Sequence, residues 1–202
     1  MALNLADEGV NVAICVRGEE GLKKTEKELM EKGVKVIALS CDVGNAQQLD
    51  DFSDWETSIN VDLLGSVRGT RKVIPWMLEA GSGNILFISS GSGLEAGSPP
   101  AYAAAKAAII SYSKTIAIQL APNNIRVNTL APGSVEFPGG LWEMAKTHNR
   151  PMYDWALNSI HCGRLGTPDE IGKVATFIVS PCASWVVGTC LAVDGGQRKA
   201  NL

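Results

Sequence analysis

The stretch Gly83-Asn-Ile-Leu-Phe-Ile-Ser-Ser-Gly-Ser-Gly93 predicts a β-strand that is buried on both faces, because its apolar residues follow one another without alternation and glycines bound the run. The strand ends in Ser89 and Ser90, and the glycines behind them let the chain turn. Sheets of parallel strands bind their ligands at the carboxyl ends of the strands. We therefore expect a serine hydroxyl of this pair to lie at a ligand site.

The next segment, Pro99-Pro-Ala-Tyr-Ala-Ala-Ala-Lys-Ala-Ala-Ile-Ile110, predicts an α-helix, because proline suits the first turn and alanine favours the turns that follow. Tyr102 and Lys106 stand four residues apart and therefore share one helix face. A neighbouring positive charge lowers the pKa of a tyrosine from its reference value of about 10, which allows proton exchange near neutral pH. The pair alone fits an amphipathic helix with a solvated lysine at least as well as it fits an acid–base pair. Its interpretation therefore depends on the surrounding motifs.

The rest of the chain alternates between helices and strands, which predicts a parallel α/β sheet in a single domain over residues 1–202. Strands are expected at 10–16, 34–41, 84–89, 125–130 and near 189–193, and helices at 2–8, 18–32, from Asp54 to about Ala80, at 99–120 and from Pro168. Residues 134–162 form a long excursion that is rich in aromatic and other large apolar side chains. We expect this excursion to be a substrate lid, and the alternative is a pair of amphipathic helices that bury their aromatic side chains.

Short motifs occur in a fixed order along nearly the whole chain. They are Asp42-Val43 after a strand, Asn60-Val-Asp-Leu-Leu-Gly65, Ile88-Ser-Ser90, Tyr102-x3-Lys106, Asn128-x3-Pro132-Gly133, Gly163-Arg-Leu-Gly-Thr-Pro168 and Val193-Asp-Gly-Gly196. On these residues together the chain resembles the short-chain dehydrogenase/reductase family. The resemblance implies a doubly wound, Rossmann-like parallel sheet, an NAD or NADP cofactor, and hydride transfer between the nicotinamide and a carbinol or carbonyl carbon.

The resemblance also implies roles for the catalytic residues. Tyr102 would exchange a proton with the substrate oxygen, and Ser90 rather than Ser89 would hydrogen-bond that oxygen. Lys106 would lower the pKa of the tyrosine and hold the nicotinamide ribose. Positioned donors of this kind stabilise the charge that develops on oxygen during hydride transfer.

Asp62 departs from the family pattern, because the family usually has Asn at the position that aligns with it. In the family this Asn holds a water in a proton relay to the lysine. Asp62 would be able to accept a hydrogen bond from such a water, but it would bring a negative charge near Lys106. We therefore include Asp62 in the catalytic set without expecting an intact relay, and the alternative is a polar helix residue with no role.

Cofactor contacts are implied at both ends of a dinucleotide. The residues are Arg17, Asp42, Val43, Tyr102, Lys106, Pro132, Gly133 and Val135. Asp42 and Val43 would flank the adenine, and Pro132 and the residues after it would contact the nicotinamide end. Arg17 follows a strand at the point where an acidic residue would bind the ribose 2′-OH of NAD, and an arginine suits the 2′-phosphate of NADP. We therefore expect NADP in preference to NAD, unless Arg17 is a solvated surface residue.

Two pieces of the family's architecture are absent from the sequence. They are the opening strand with its Gly-rich phosphate-binding turn, and the strand that ends in Asn-Asn-Ala-Gly, expected between Asp51 and Phe52. Both strands would lie at the centre of the sheet. Each buried backbone group left unpaired costs about 1–3 kcal/mol, and a domain's whole stability is roughly 5–15 kcal/mol. We therefore expect an incomplete folding unit, either because segments are missing from the sequence, which we favour, or because a shortened product folds poorly.

Composition excludes several classes of protein. The chain has 202 residues, a net charge of −3 and no block of basic residues, so we expect one globular domain that binds neither nucleic acid nor membrane. Five scattered cysteines indicate reduced thiols in the cytoplasm. His148 and His161 have no partner at metal-ligand spacing, so no metal site is expected.

Two functions follow from these features. The leading one is an NADP-preferring oxidoreductase that acts on a small alcohol or ketone. The alternative is a non-catalytic relative that serves as a binding or assembly subunit, which the absent Gly-rich turn and Asp62 favour and the intact Ser, Tyr and Lys oppose. The helices that start at Asp54 and Pro99 carry small residues, and the family resemblance implies that they pair with a second copy in a homodimer or homotetramer.

Overall fold

The computed structural model describes residues 1–16, 19–40 and 55–200. The chain divides into two compact units, Met1–Asp51 and Phe52–Leu202, which are called the N-terminal and C-terminal units below.

The N-terminal unit is built from two parallel strands and two helices. Its elements are α1 (Ala2–Asp7), β1 (Val12–Val16), α2 (Glu19–Met30) and β2 (Val36–Ser40), close to the predicted ranges. β1 and β2 pair in parallel, with Val12 opposite Val36. Two acidic residues begin α2, where the helix dipole favours negative charge, and Leu29 on its other end is fully buried against α1 and β1.

The C-terminal unit contains a three-stranded parallel sheet in the order β3-β4-β5. The strands are β3 (Gly83–Ile88), β4 (Ile125–Pro132) and β5 (Cys190–Val193). The helix α5 (Pro100–Leu120) connects β3 to β4, and α6 (Leu141–His148), α7 (Arg150–Ser159) and α8 (Pro168–Val179) precede β5. The central strand β4 is almost entirely buried, although its sequence includes polar residues such as Asn128 and Thr129.

Helices cover both faces of this sheet. Phe87 on β3 packs with Ile109 of α5 in one apolar cluster. Leu86, the neighbouring residue, points to the other face and packs in a second cluster with Ile178 of α8. The C-terminal unit is therefore a three-layer α/β arrangement, and its strands all end on the same side of the sheet.

The predicted helix from Asp54 to about Ala80 is present in its described part, but it is not a uniform α-helix. It consists of α3 (Trp55–Ser58), a π-helical segment (Ile59–Gly65) and α4 (Ser66–Ala80). A π-helical segment has wider turns than an α-helix and occurs often at functional sites. The expected N-cap, Asp54, lies outside the described residues.

The excursion at 134–162 contains α6 and α7. Tyr153 is buried in a cluster with Ala145 and Ile160, whereas Trp155 is 63% exposed. The excursion therefore has a small core of its own. α8 then begins with a capping box, in which Thr167 and Glu170 satisfy each other's backbone N–H groups.

These elements confirm a Rossmann-like α/β fold with parallel strands. Within residues 1–16, 19–40 and 55–200 the five strands form two separate sheets, which is consistent with the predicted absence of two central strands. The boundaries of a single domain over 1–202 remain a prediction. No described helix is long and apolar enough to cross a membrane.

Candidate active site

The helix α5 brings Tyr102 and Lys106 together on one face. Pro100 is the first residue of α5, so the helix begins one residue later than the predicted range 99–120. The Lys106 Nζ lies 5.5 Å from the centre of the Tyr102 ring. The expected i,i+4 pairing of the ammonium and the phenol is therefore observed.

Lys106 is held by groups from three elements. Besides the contact with Tyr102, its Nζ lies 3.2 Å from Asp62 Oδ1 on the π-helical segment and 3.3 Å from the carbonyl oxygen of Ile88 at the end of β3. The side chains of Lys106 and Asp62 are only 13% and 23% exposed. The ammonium is consequently fixed at the carboxyl end of β3, next to the phenol.

Asp62 forms a direct ion pair with this lysine. The sequence predicted a negative charge near Lys106, and the structure places the two charged groups in contact across 44 positions of chain. Opposite charges that are mostly shielded from water attract more strongly than exposed ones. Asp62 is therefore more than a solvated polar residue of its helix.

The two serines after β3 have different surroundings. Ser89 is buried, and its hydroxyl donates to the carbonyl oxygen of Lys106 at 2.8 Å, which anchors α5 to the strand. Ser90 Oγ accepts a hydrogen bond from the Ser92 N–H at 3.1 Å and donates one to Ser92 Oγ at 3.2 Å. Ser90 is partly exposed, so its hydroxyl remains accessible to a ligand, whereas that of Ser89 is committed to the helix.

Gly93 permits a close approach that sequence reasoning missed. A Cβ atom at this position would lie 2.7 Å from the carbonyl carbon of Lys106 and 2.9 Å from the Ala107 nitrogen. The loop after β3 therefore packs directly on the backbone of α5 beside Lys106. The sequence showed this glycine only as a turn residue, because such a close approach leaves no local pattern.

The loop after β4 contains the residues expected at the nicotinamide end. Gly133 donates its N–H to the Val193 carbonyl oxygen at 3.1 Å, and a Cβ atom there would come within 2.7 Å of Asp194. Pro132 ends β4 and pairs with Val193 of β5. Pro132 and Gly133 therefore lie at the C-terminal ends of the parallel strands, as Ser90 and Lys106 do.

Val135 presents a backbone edge in this loop. It forms a parallel β-bridge with Gly166, in which the hydrogen bonds are made by Ser134 and Glu136 on either side of it. In a parallel bridge the N–H and C=O of the central residue then face away from the bridge partner. Among the described residues, neither group has a hydrogen-bond partner, so one donor and one acceptor are available side by side.

A polar cluster links this loop to the excursion. The Tyr153 hydroxyl donates to Glu136 Oε2 at 2.9 Å, and Lys146 Nζ donates to Glu136 Oε1 at 2.8 Å. These hydrogen bonds, first that of Lys146 and then that of Tyr153, hold the pKa of Glu136 below its usual value. In the sequence Tyr153 is only one of the aromatic residues of the excursion, and its contact with Glu136 was not predicted.

The structure does not describe the residues expected at the adenine end. Arg17, Asp42 and Val43 lie outside the described residues, and their roles remain predictions. In the ranges that the structure does describe, no three His, Cys, Asp or Glu side chains are grouped so that they could hold a metal ion.

Known proteins resemble the chain in both sequence and structure. The sequence profile of the family described as "Enoyl-(Acyl carrier protein) reductase" matches residues 50–198. The 3-oxoacyl-[acyl-carrier-protein] reductase FabG of Thermotoga maritima is 39% identical over 145 residues, which are 71% of this chain and 56% of that relative. The chain thus matches little more than half the length of this curated relative.

Other relatives align over a greater length. Isoepoxydon dehydrogenase patN of Penicillium expansum is 31% identical over 189 residues, 93% of this chain and 73% of the relative. Dehydrogenase/reductase SDR family member 4 of Sus scrofa is 28% identical over 234 residues, 98% of this chain and 82% of the relative. That alignment is longer than the 202-residue chain, so the relative carries segments without a counterpart here.

Solved structures give the same fold. Actinorhodin polyketide ketoreductase with NADPH superposes with a TM-score of 0.85 at 26% identity, covering 99% of this chain and 92% of that chain. NAD+-bound xylitol dehydrogenase gives a TM-score of 0.83 at 27% identity, covering 96% and 92%.

Proposed function

Since the chain belongs to the short-chain dehydrogenase/reductase family, we propose that it is an oxidoreductase that transfers a hydride between NADP(H) or NAD(H) and a small alcohol or carbonyl compound. One observation carries the proposal. The Lys106 ammonium is fixed at the carboxyl end of β3, beside the Tyr102 ring and at the strand end that Ser90 follows.

Tyr102 is the proton donor and acceptor of this proposal. When a carbonyl is reduced, negative charge develops on its oxygen, and the phenol supplies the proton that neutralises it. The positive charge of Lys106 stabilises the phenolate that remains. Ser90 donates a hydrogen bond to the same oxygen, so that the developing charge meets two preorganised donors.

The residues after β4 fit the nicotinamide end of the cofactor. The available N–H and C=O of Val135 match the acceptor and donor of a primary carboxamide, and Pro132 and Gly133 form the adjoining wall. A bound cofactor would supply or accept the hydride. Tyr102 and Lys106, at the C-terminal end of β3, complete the set, and Lys106 would also hold the ribose.

The preference for NADP is part of the proposal and depends on Arg17. Its guanidinium would pair with a 2′-phosphate, and Asp42 and Val43 would flank the adenine. One of the similar structures contains NADPH and another contains NAD+, which supports a nicotinamide dinucleotide as the cofactor. In this proposal Arg17 determines which of the two dinucleotides is preferred.

We also propose a homodimer or homotetramer in which α4 and α5 pair with their copies. Trp76 on α4 is 68% exposed and Ile118 on α5 is 66% exposed. Large apolar side chains that are exposed on long helices are consistent with a protein interface. Light scattering tests the assembly, because Ile118→Glu should give monomers, and an unaltered mass would exclude this face.

The function is tested by titrating the intact protein with NADPH and NADH, followed by turnover with a panel of small ketones and alcohols. Fluorescence of the reduced nicotinamide reports binding, and its loss reports reduction of a ketone. Binding with turnover supports the proposal. The absence of binding to either cofactor favours the non-catalytic alternative, which keeps the fold but not the cofactor. Binding without turnover of any member of the panel contradicts the proposed substrate class.

A further inference from the structure

The segment Asp194–Arg198, which follows β5, forms a rigid turn. Asp194 Oδ1 accepts from the Gly196 N–H at 3.0 Å, and its Oδ2 accepts from the Arg198 N–H at 3.2 Å. Gly195 and Gly196 have φ values of 61° and 76°, which other residues rarely adopt. The turn therefore holds Gln197, between these residues, in one orientation.

The Gln197 side-chain amide makes three hydrogen bonds to two distant parts of the chain. Its Oε1 accepts from the Ser134 N–H at 2.9 Å. Its Nε2 donates to Ser134 Oγ at 3.0 Å and to Ser159 Oγ at 2.9 Å. Ser134 belongs to the loop after β4, and Ser159 is the last residue of α7.

Two further contacts join the same turn to the end of the excursion. His161 Nδ1 lies 2.6 Å from the Gly196 carbonyl oxygen, and the Cys162 N–H donates to the Gly195 carbonyl oxygen at 3.0 Å. Close packing reinforces the contact with the other loop, because a Cβ atom on Gly133 would lie 2.7 Å from Gln197 Oε1. The turn thus lies between the β4 loop and the excursion and contacts both.

We infer that Gln197 is a positioning residue that couples the nicotinamide-binding loop 132–135 to the C-terminal end of the excursion, residues 159–162. It acts through Ser134, which precedes the Val135 backbone edge, and through Ser159. Loss of the amide should loosen both segments together and lower the affinity for the cofactor. The expected effect on cofactor affinity rests on the proposed function, whereas the coupling of the two segments rests on the structure alone.

The coupling is tested without cofactor by hydrogen exchange on Gln197→Met. Methionine preserves most of the side-chain volume but makes none of the three hydrogen bonds. Faster exchange is expected in both 133–136 and 157–162. Arg126→Met is the matched control, because the Arg126 guanidinium also makes three hydrogen bonds, to the carbonyl oxygens of Ile178, Ser180 and Ala183, near the opposite end of β4.

Faster exchange confined to 194–198, or equal acceleration by Arg126→Met, would overturn the coupling. Ser159→Ala provides a second test that keeps both bonds to Ser134, and it should accelerate exchange at 157–162 only. If Gln197→Met does not fold, Ser159→Ala decides the outcome. Faster exchange in the β4 loop of Ser159→Ala would contradict the proposal that Gln197 positions this loop through its hydrogen bonds to Ser134.

The role toward the cofactor is tested by NADPH titration of the same variants. Gln197→Met should raise the Kd several-fold, whereas Arg126→Met should leave it unchanged, although both lose stability. An unchanged Kd in Gln197→Met overturns the positioning role. Wild-type protein that binds neither NADPH nor NADH contradicts the proposed function instead, and the exchange comparison then still decides the coupling.

Discussion

The N-terminal and C-terminal units differ in how much of the candidate site each one contains. In the C-terminal unit, Ser90, Tyr102 and Lys106 come from β3, α5 and the loop between them, and the family profile covers 50–198. The N-terminal unit contributes the parallel pair β1-β2, and the residues proposed for the adenine end lie outside the described ranges. The residues proposed for proton transfer therefore lie in one contiguous strand-helix segment, separate in the sequence from the residues proposed for the adenine.

The largest expected effect comes from Tyr102→Phe in the C-terminal unit. Removing the phenolic proton should reduce kcat by at least about 10²-fold, as is typical when a general acid is lost. The Kd for NADPH should stay nearly unchanged, because the ring and Lys106 remain. Steady-state kinetics and nicotinamide fluorescence measure the two quantities.

Tyr112→Phe is the matched control for this variant. Tyr112 lies on the same helix, and its ring packs edge-to-face against Phe87 with centroids 5.8 Å apart. Phenylalanine preserves that packing, so kcat should stay close to that of the parent. A Tyr102→Phe variant that keeps kcat within a few-fold of the parent would remove Tyr102 from its assigned role.

Gly93→Ala should give the next largest effect, because the new methyl group would collide with the backbone of Lys106. Overpacking of this kind costs about 1–3 kcal/mol, which corresponds to a fall in Tm of roughly 2–4 °C per kcal/mol for a chain of this size. Displacement of α5 should also lower kcat more than it raises KM for the cofactor. Calorimetry and kinetics would detect the two effects.

Gly91→Ala is the control for that substitution. A Cβ atom at Gly91 would meet its nearest neighbour, the Pro132 carbonyl oxygen, at 3.8 Å, an ordinary van der Waals distance. We expect only a small change in Tm. Equal losses of stability in the two variants would mean that loop flexibility, and not the contact with α5, explains the presence of glycine.

The sequence predicted most of the fold, because buried parallel strands leave continuous apolar runs and amphipathic or alanine-rich segments predict helices. It also predicted correctly that Tyr102 and Lys106 share one face of α5, because the i,i+4 spacing is a local property of a helix. It missed the π-helical segment, because a change from α- to π-type hydrogen bonding leaves no mark in composition. It missed the Gln197 contacts for a different reason: Ser134 lies 63 positions away, and no periodicity relates the two residues.

Arg17→Asp tests the cofactor preference that is assigned to the N-terminal unit. The substitution removes a cation and offers an acceptor to the ribose 2′-OH, so the ratio of kcat/KM for NADP(H) to that for NAD(H) should fall by about tenfold or more. Activity with NAD(H) should persist, because the residues proposed for catalysis are in the other unit. A ratio that does not move would show that Arg17 does not contact the cofactor.

Asp62→Asn should give the smallest effect, a displacement of the pH profile. The Asp62 carboxylate lies 3.2 Å from Lys106 Nζ and offsets part of the positive charge that favours the Tyr102 phenolate. Asparagine keeps an oxygen acceptor for the lysine but removes the negative charge. Oxidation of an alcohol needs the phenolate, so the rise of its rate with pH should move to lower pH.

The direction of that displacement is the decisive observation, because a purely structural role for Asp62 would lower the rate at every pH alike. Asp169→Asn is the control, since it removes the same charge from an ion pair with Lys173 on the surface of α8, where Asp169 is 56% exposed. Solvent screens that charge, so the profile should stay in place. A shift of the Asp62→Asn profile to higher pH would show that the carboxylate supports phenolate formation, as a proton relay through Asp62 would, and would reverse the role assigned to the ion pair.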